Sequence, residues 1–289
     1  MNVSKTSISG QSVSIAAALL IMVSLAIGAH AALNKRALTA PSAVMVEETV
    51  EAAGQASRIA LVIGNGHYPD ANAPLTQPIN DARGLTSALR QDGFDVEVVE
   101  DASKEDMSLA IGRLKSRIKP DSVVMLFFGG YGVQVGRESY MIPVDAAIWK
   151  ESDVRRNGIS IESVLEMMKE QGARAKLAVI DASRRNPYER RFRAFSHGLA
   201  PINAPENALI LSSATPGTVV DDSTGHYSVL MAELLNNLNV EQADKTAAET
   251  VFNKTRVAVA RASEGEQVPS VSSSLSEEVH LGAVENAGG

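Results

Sequence analysis

Lys176-Leu-Ala-Val-Ile-Asp-Ala-Ser-Arg-Arg-Asn-Pro187 is the stretch on which the fold turns. Its apolar run, Leu177 to Ile180, has no alternating polar side chains, and such a run suits a parallel strand covered on both faces by helices. In open sheets of that kind ligands meet the protein at the carboxyl ends of the strands. Asp181 and Ser183 fall at that end and are the first candidates for a site.

Working outward, Ile59-Ala-Leu-Val-Ile63 is a second fully apolar strand, turned sharply by Gly64-Asn-Gly66. Asn80 and Asp81 are expected to open a helix, with Ala82, Leu85, Ala88 and Leu89 as its apolar stripe. Phe94 to Val99 alternates, as a strand near an edge does. Ser103 and Asp106 have the spacing of a capping box for a helix whose Leu109, Ile111, Leu114 and Ile118 face inward. Val123 to Phe128 is the central strand, and it runs into Gly129-Gly-Tyr-Gly132. Glycines around one large side chain require a tight backbone and are expected to present Tyr131 at the strand end. The spacing fits neither G-x-G-x-x-G nor a P-loop. Val133 to Ile142 has the form of a hairpin, and Ile161 to Lys169 that of a helix. A strand at Asn207 to Ser212 and helices at Tyr227 to Leu238 and Ala247 to Ala262 follow. In the last of these Val251, Thr255 and Ala258 are expected inward. Alternating strands and helices predict an α/β three-layer sandwich.

Composition narrows the function. The 289-residue chain is 45% hydrophobic, enough for a real core, and its net charge of -7 argues against nucleic-acid binding. The basic patch around Glu189-Arg-Arg-Phe-Arg193 reads as a solvated loop. The absence of cysteine excludes disulfides, Cys-ligated zinc and a thiolate nucleophile. Lys5, the apolar run Val13 to Ile27 and the small residues of Ala29-His-Ala31 predict a signal peptide over 1–31 and a periplasmic or secreted protein. The alternative is an uncleaved membrane anchor over 13–29. Residues 32–57 read as a linker, and the Ser- and Glu-rich end from Ser270 as a loose tail, with the domain proper at 58–275 and the tail at 276–289.

Seven landmarks in order resemble the caspase-like peptidase superfamily, most nearly its metacaspase-like branch: Ile59-Ala-Leu-Val-Ile-Gly-Asn65, Pro78-Ile-Asn-Asp-Ala82, Phe127-Phe-Gly-Gly-Tyr-Gly132, Tyr140-Met-Ile-Pro-Val-Asp145, Val179-Ile-Asp-Ala-Ser-Arg-Arg-Asn-Pro187, Gly198-Leu-Ala200 and Ala214-Thr-Pro-Gly217. The resemblance implies a caspase-hemoglobinase fold with a mostly parallel six-stranded sheet. It also implies peptide-bond cleavage by a Cys-His dyad, whose His position is Tyr131 here and whose Cys position is Ser183. A phenol is protonated near neutral pH and offers no useful base, and a Ser hydroxyl needs one to attack a carbonyl. The resemblance therefore implies a pseudopeptidase. Gly130 and Gly132 are candidates for an oxyanion site or for the loop turn alone. His67, His197, His226 and His280 are the remaining bases of the mature chain, with His67 the candidate for a rescued Ser-His pair.

In metacaspase-like relatives the carboxylates matching Asp81 and Asp181 line a pocket for a basic residue, which the resemblance carries over as a substrate-binding site for Arg or Lys. The competing expectation is that Asp81 caps its helix while Asp181 pairs with Arg184 or Arg185. No cofactor or metal is expected, although the acidic pair Asp221 and Asp222 raises calcium, which some metacaspase-like enzymes require. Three functional readings follow. They are a module binding basic peptides or a protein partner, a peptidase using the Ser183 hydroxyl, and a scaffold pairing with an active relative through a sheet edge.

Overall fold

A computed structural model describes residues 57–69, 74–184, 198–220, 225–238 and 246–281. The expected signal peptide, nearly all of the expected linker, His197, Arg185, the 189–193 basic patch, Asp221, Asp222 and the last eight residues lie outside them. No helix of the described residues is long and apolar enough to cross a membrane.

Six strands form the main sheet: β1 (Arg58–Gly64), β2 (Asp95–Glu100), β3 (Val123–Gly129), β7 (Ala175–Asp181), β8 (Ala208–Ser212) and β9 (Ser270–Ser273). Their order is β2-β1-β3-β7-β8-β9. All neighbours are parallel except β8 and β9, which run antiparallel. A second sheet of β4 (Gly132–Val135), β5 (Glu138–Met141) and β6 (Ile159–Ser160) is antiparallel throughout. This is the α/β caspase-hemoglobinase arrangement expected from the sequence.

The inner strands β1, β3, β7 and β8 are apolar runs because both faces are covered. Ala60, Val62, Met125, Phe127, Leu177 and Val179 pack toward α1 (Gln77–Gln91), α5 (Val229–Leu238) and α6 (Ala248–Ala262). Their neighbours Leu61, Ile63, Leu126, Phe128, Ala178 and Ile180 pack on the opposite face toward α2 (Lys104–Arg117) and α4 (Ile161–Glu170). This two-faced alternation is the strand period of two. Phe127 and Phe128 are both fully buried, one to each face, and each contributes about 2–3 kcal/mol of burial. A third cluster, including Tyr68, Tyr131, Val133, Tyr140 and Ile142, seals the small sheet with Val154 of α3 (Glu151–Asn157).

Several local expectations change. Helix α1 starts at Gln77, with Thr76 as N-cap and Pro in the first turn, so Asp81 is interior to the helix and does not cap it. In α2 the Ser103–Asp106 capping box forms, but the inward face carries Met107, Ala110 and Leu114, while Leu109 is 54% exposed. Ala258 of α6 is only half-buried, and Phe252 and Val259 complete that inward face. The Ser-rich stretch expected as a tail supplies β9, and beyond it Val279 and Leu281 are buried in the core. An edge strand needs hydrogen-bond partners on one side only, and alternating Ser can supply its exposed face.

Candidate functional site

The register brings Gly64, Gly129 and Asp181 side by side at the ends of β1, β3 and β7. Asn65, fully buried, locks this row to its surroundings. Its backbone N–H donates to the Gly129 carbonyl at 2.8 Å, its Oδ1 accepts from the Ala102 N–H at 2.9 Å, and its Nδ2 donates to the Ile142 carbonyl at 3.3 Å. The next residues of β3 and β7 continue the pairing. Gly130 N–H donates to the Asp181 carbonyl and Gly132 N–H to the Ala182 carbonyl, each at 3.2 Å. In this arrangement both glycine N–H groups hold the loop to β7.

Tyr131 does not protrude. It is 8% exposed, and its ring meets that of Tyr68 edge-on with centroids 4.8 Å apart. Gly130 is glycine because of that neighbour: a Cβ there would stand 2.5 Å from the Tyr68 hydroxyl. The expectation of a presented side chain fails because the glycines serve close approach and not display. Ser183 is 2% exposed, its N–H reaching Ser213 Oγ at 3.4 Å and its carbonyl accepting from Val220 N–H at 2.7 Å. A cavity of about 200 Å³ opens beside it, walled by Leu199, Ile202, Ser212, Ala214 and Val271 among others. A larger open groove of about 830 Å³ lies over α6, away from the strand ends.

No imidazole among the described residues bonds Ser183. His67 is tied to Asp101, which accepts from the His67 and Gly66 backbone N–H groups at 2.9 and 2.8 Å and also meets the His67 ring. Burial works to raise the Asp101 carboxyl, but these donors outweigh it and hold it below the usual range. Asp101 follows β2 and Ser183 follows β7, three strands across, roughly 14 Å by sheet spacing. His226 is exposed, with Asn80 and the Tyr227 ring as its neighbours, and His280 joins Ala247 through a backbone bridge while its Nδ1 bonds no side chain or backbone group among the described residues.

Asp81 and Asp181 are both buried. Asp81 Oδ1 accepts from the Ser228 N–H at 2.9 Å, while its Oδ2 has no hydrogen-bond partner among the described residues. Ser228 Oγ in turn accepts from Met231 N–H in the first turn of α5, so Asp81 steadies the entry to another helix. Burial, and then the like charge of Asp181, raise the Asp81 pKa to about 7, against the smaller opposing pulls of Ser228 and Arg184. The Asp181 carboxylate accepts from Arg184 Nη2 at 3.4 Å, and Arg184 Nη1 also donates to the Gly130 carbonyl at 3.1 Å and to the Asp181 carbonyl. Of the two alternatives for Asp181, the pairing with Arg184 is therefore present. Sequence reasoning did not find Tyr68, Ser213 or Ser228. Only Ser228 left a signal, as a capping residue before an apolar helical run. Among the described residues no cluster of three or more His, Cys, Asp or Glu side chains could hold a metal ion.

A parallel α/β sheet with an antiparallel edge, carrying residues 131 and 183 at the ends of neighbouring strands, defines a caspase-type domain. Residues 57–280 match the family model described as the caspase domain, and the chain belongs to that family. It is similar to the human mucosa-associated lymphoid tissue lymphoma translocation protein 1, 28% identical over 144 residues, half of this chain and 17% of that protein. The Mus musculus homolog of that protein is 29% identical over 133 residues, 46% of this chain and 16% of its own length. The matched stretch thus spans less than a fifth of either relative.

Proposed function

We propose that this chain is a non-catalytic caspase-family domain acting outside the cytoplasm, whose cleft takes the Arg or Lys side chain of a peptide or protein partner between Asp81 and Asp181. The observation that carries the reading is Asp81 Oδ2, a buried carboxylate oxygen with no hydrogen-bond partner among the described residues, facing the field of a second carboxylate. A buried oxygen of this kind is costly unless a donor arrives, and a guanidinium or ammonium is the donor that also relieves the like-charge repulsion.

The loss of catalysis is supported by the chemistry of positions 131 and 183. A phenol is no general base near neutral pH, and His67, the candidate to replace it, is held by Asp101. Calorimetric titration of the protein with Arg- and Lys-containing peptides tests the binding half, and saturable heat is expected. The absence of heat at millimolar peptide, with the protein folded, refutes it. Hydrolysis of the same peptides tests the other half. Any cleavage that disappears in Ser183→Ala would show a working hydroxyl nucleophile and overturn the non-catalytic reading.

A further inference from the structure

Arg184 lies one residue beyond Ser183, past the end of the β7 ladder, and yet is only 7% exposed. Its guanidinium occupies the space at the strand ends. Nη1 bonds the Gly130 and Asp181 carbonyls, and Nη2 faces the Asp181 carboxylate. A guanidinium placed among carbonyls and a carboxylate is what a basic ligand would supply, here delivered by the chain itself. The fit is incomplete. The carboxylate contact at 3.4 Å is longer than the about 2.7–2.9 Å of a good charge-assisted bond, and Asp81 Oδ2 is left without a partner among the described residues.

We propose that Arg184 is a tethered occupant of the acidic cavity proposed above between Asp81 and Asp181, and that an incoming basic side chain enters by displacing it. This rests on the reading that the cavity takes a basic side chain. Among the described residues, two carboxylates and one guanidinium leave the cavity short of one positive charge when both acids are ionised, so a better-fitting donor has something to gain. The occupant then acts as a gate. A ligand sees only the fraction of molecules in which Arg184 has swung out, and its apparent affinity falls by that fraction. The gate would restrict the cavity to partners whose neighbouring contacts make up the difference.

The test compares the full chain with Arg184→Ala at pH 8, titrated calorimetrically with a tetrapeptide amide ending in arginine and with the same peptide ending in citrulline. If Arg184 is out of the cavity in a tenth of molecules or fewer, the variant should bind the arginine peptide at least about tenfold more tightly than the wild type, and neither should bind the citrulline peptide. Millimolar ethylguanidinium should raise the unfolding temperature of the variant and leave that of the wild type unchanged. Equal or weaker peptide binding by the variant overturns the gate while leaving the basic-ligand reading standing. No binding by either protein overturns both. Should Arg184→Ala fail to fold, the wild type decides through the Arg184 Nε–H, assigned with Arg184→Lys. Its protection from hydrogen exchange should fall when peptide is bound, and unchanged protection overturns the gate.

Discussion

The hydroxyl of Tyr68 accepts the backbone N–H of Tyr131 at 3.0 Å and donates its own proton to the Ile142 carbonyl at 2.9 Å. One phenol thus ties the loop after β1 to the Gly-rich turn after β3 and to the end of the β4–β5 hairpin. All three groups are buried, so Tyr68→Phe takes the bond away from the Tyr131 N–H and leaves the Ile142 carbonyl with its 3.3 Å bond from Asn65 Nδ2, without altering shape. An unsatisfied buried group costs about 1–3 kcal/mol. Tyr68→Phe should therefore destabilise the domain by about 1–3 kcal/mol in urea unfolding, with an unchanged slope against denaturant. A loss under about 0.5 kcal/mol would mean that the loop relaxes and that residue 131 is not fixed by this bond.

Asp81 makes stability depend on pH in a direction opposite to most carboxylates. Its pKa is raised from 3.8 to about 7 in the folded protein, so between those values the native state binds more protons than the unfolded chain. Its contribution is fully present below about pH 4 and is lost as pH rises through about 7. The loss is on the order of 2–4 kcal/mol, because each tenfold gain in proton affinity on folding corresponds to about 1.4 kcal/mol. Asp81→Asn keeps an oxygen for the Ser228 N–H and cannot ionise, so its unfolding temperature should vary less between about pH 5 and 8.5 and exceed the wild type's at the alkaline end. A wild-type curve flat across that range would remove the buried ionising carboxyl. Since a cationic ligand needs Asp81 charged, arginine-peptide binding should strengthen over the same interval and release a proton, seen as a dependence of the binding heat on the buffer.

The central strands were legible because burial on both faces leaves no alternation to misread, and the Ser103–Asp106 box formed as its spacing required. The helix face of α2 was less so. Two stripes compete on it, one through Leu109 and Ile111 and one through Met107, Ala110 and Leu114, and only the neighbouring strands choose between them. The landmarks placed Tyr131, Asp181 and Ser183 at the strand ends and Asp81 in the helix after β1, but which way a side chain points is a tertiary property. Tyr131 turns inward because Tyr68, far away in sequence, fills the space over Gly130, and Arg184 folds back because the Gly130 and Asp181 carbonyls lie within its reach. Neither fact has a local sequence signal.

Gly132 tests whether the space beside Tyr131 and Ser183 is as tight as its neighbours make it. A Cβ at 132 would meet Leu199 Cδ2 at 2.7 Å and both the Cβ and the carbonyl oxygen of Ala182 at 2.9 Å. The Ala182 backbone cannot yield without loosening the 3.2 Å bond from Gly132 N–H that joins it to β4. Overpacking of this kind costs typically about 1–3 kcal/mol. Gly132→Ala should fall in that range by thermal or denaturant unfolding, whereas Gly112→Ala, where a Cβ meets nothing within 4 Å in the exposed part of α2, should stabilise by about 0.5–1 kcal/mol through helix propensity. Equal effects at the two glycines would show that the 132 loop has room to spare.

Two leucines separate a closing segment from a loose end. Leu281 is 1% exposed and packs in the core cluster below α6, although it lies in a stretch whose composition reads as a tail; Leu109 is 54% exposed although its helix is amphipathic. Truncating a buried leucine costs about 2–5 kcal/mol through lost transfer energy and the cavity left behind, and truncating an exposed one costs almost nothing. Leu281→Ala should therefore lower stability by at least about 2 kcal/mol, and Leu109→Ala should change it by less than about 0.5 kcal/mol. The Ala247–His280 bridge fixes this segment against the start of α6, so the damage should also appear as faster hydrogen exchange at Ala248 N–H, which donates to the Val279 carbonyl at 2.7 Å. Comparable small effects from both leucines, with Ala248 exchange unchanged, would return residues 279–281 to the status of a tail.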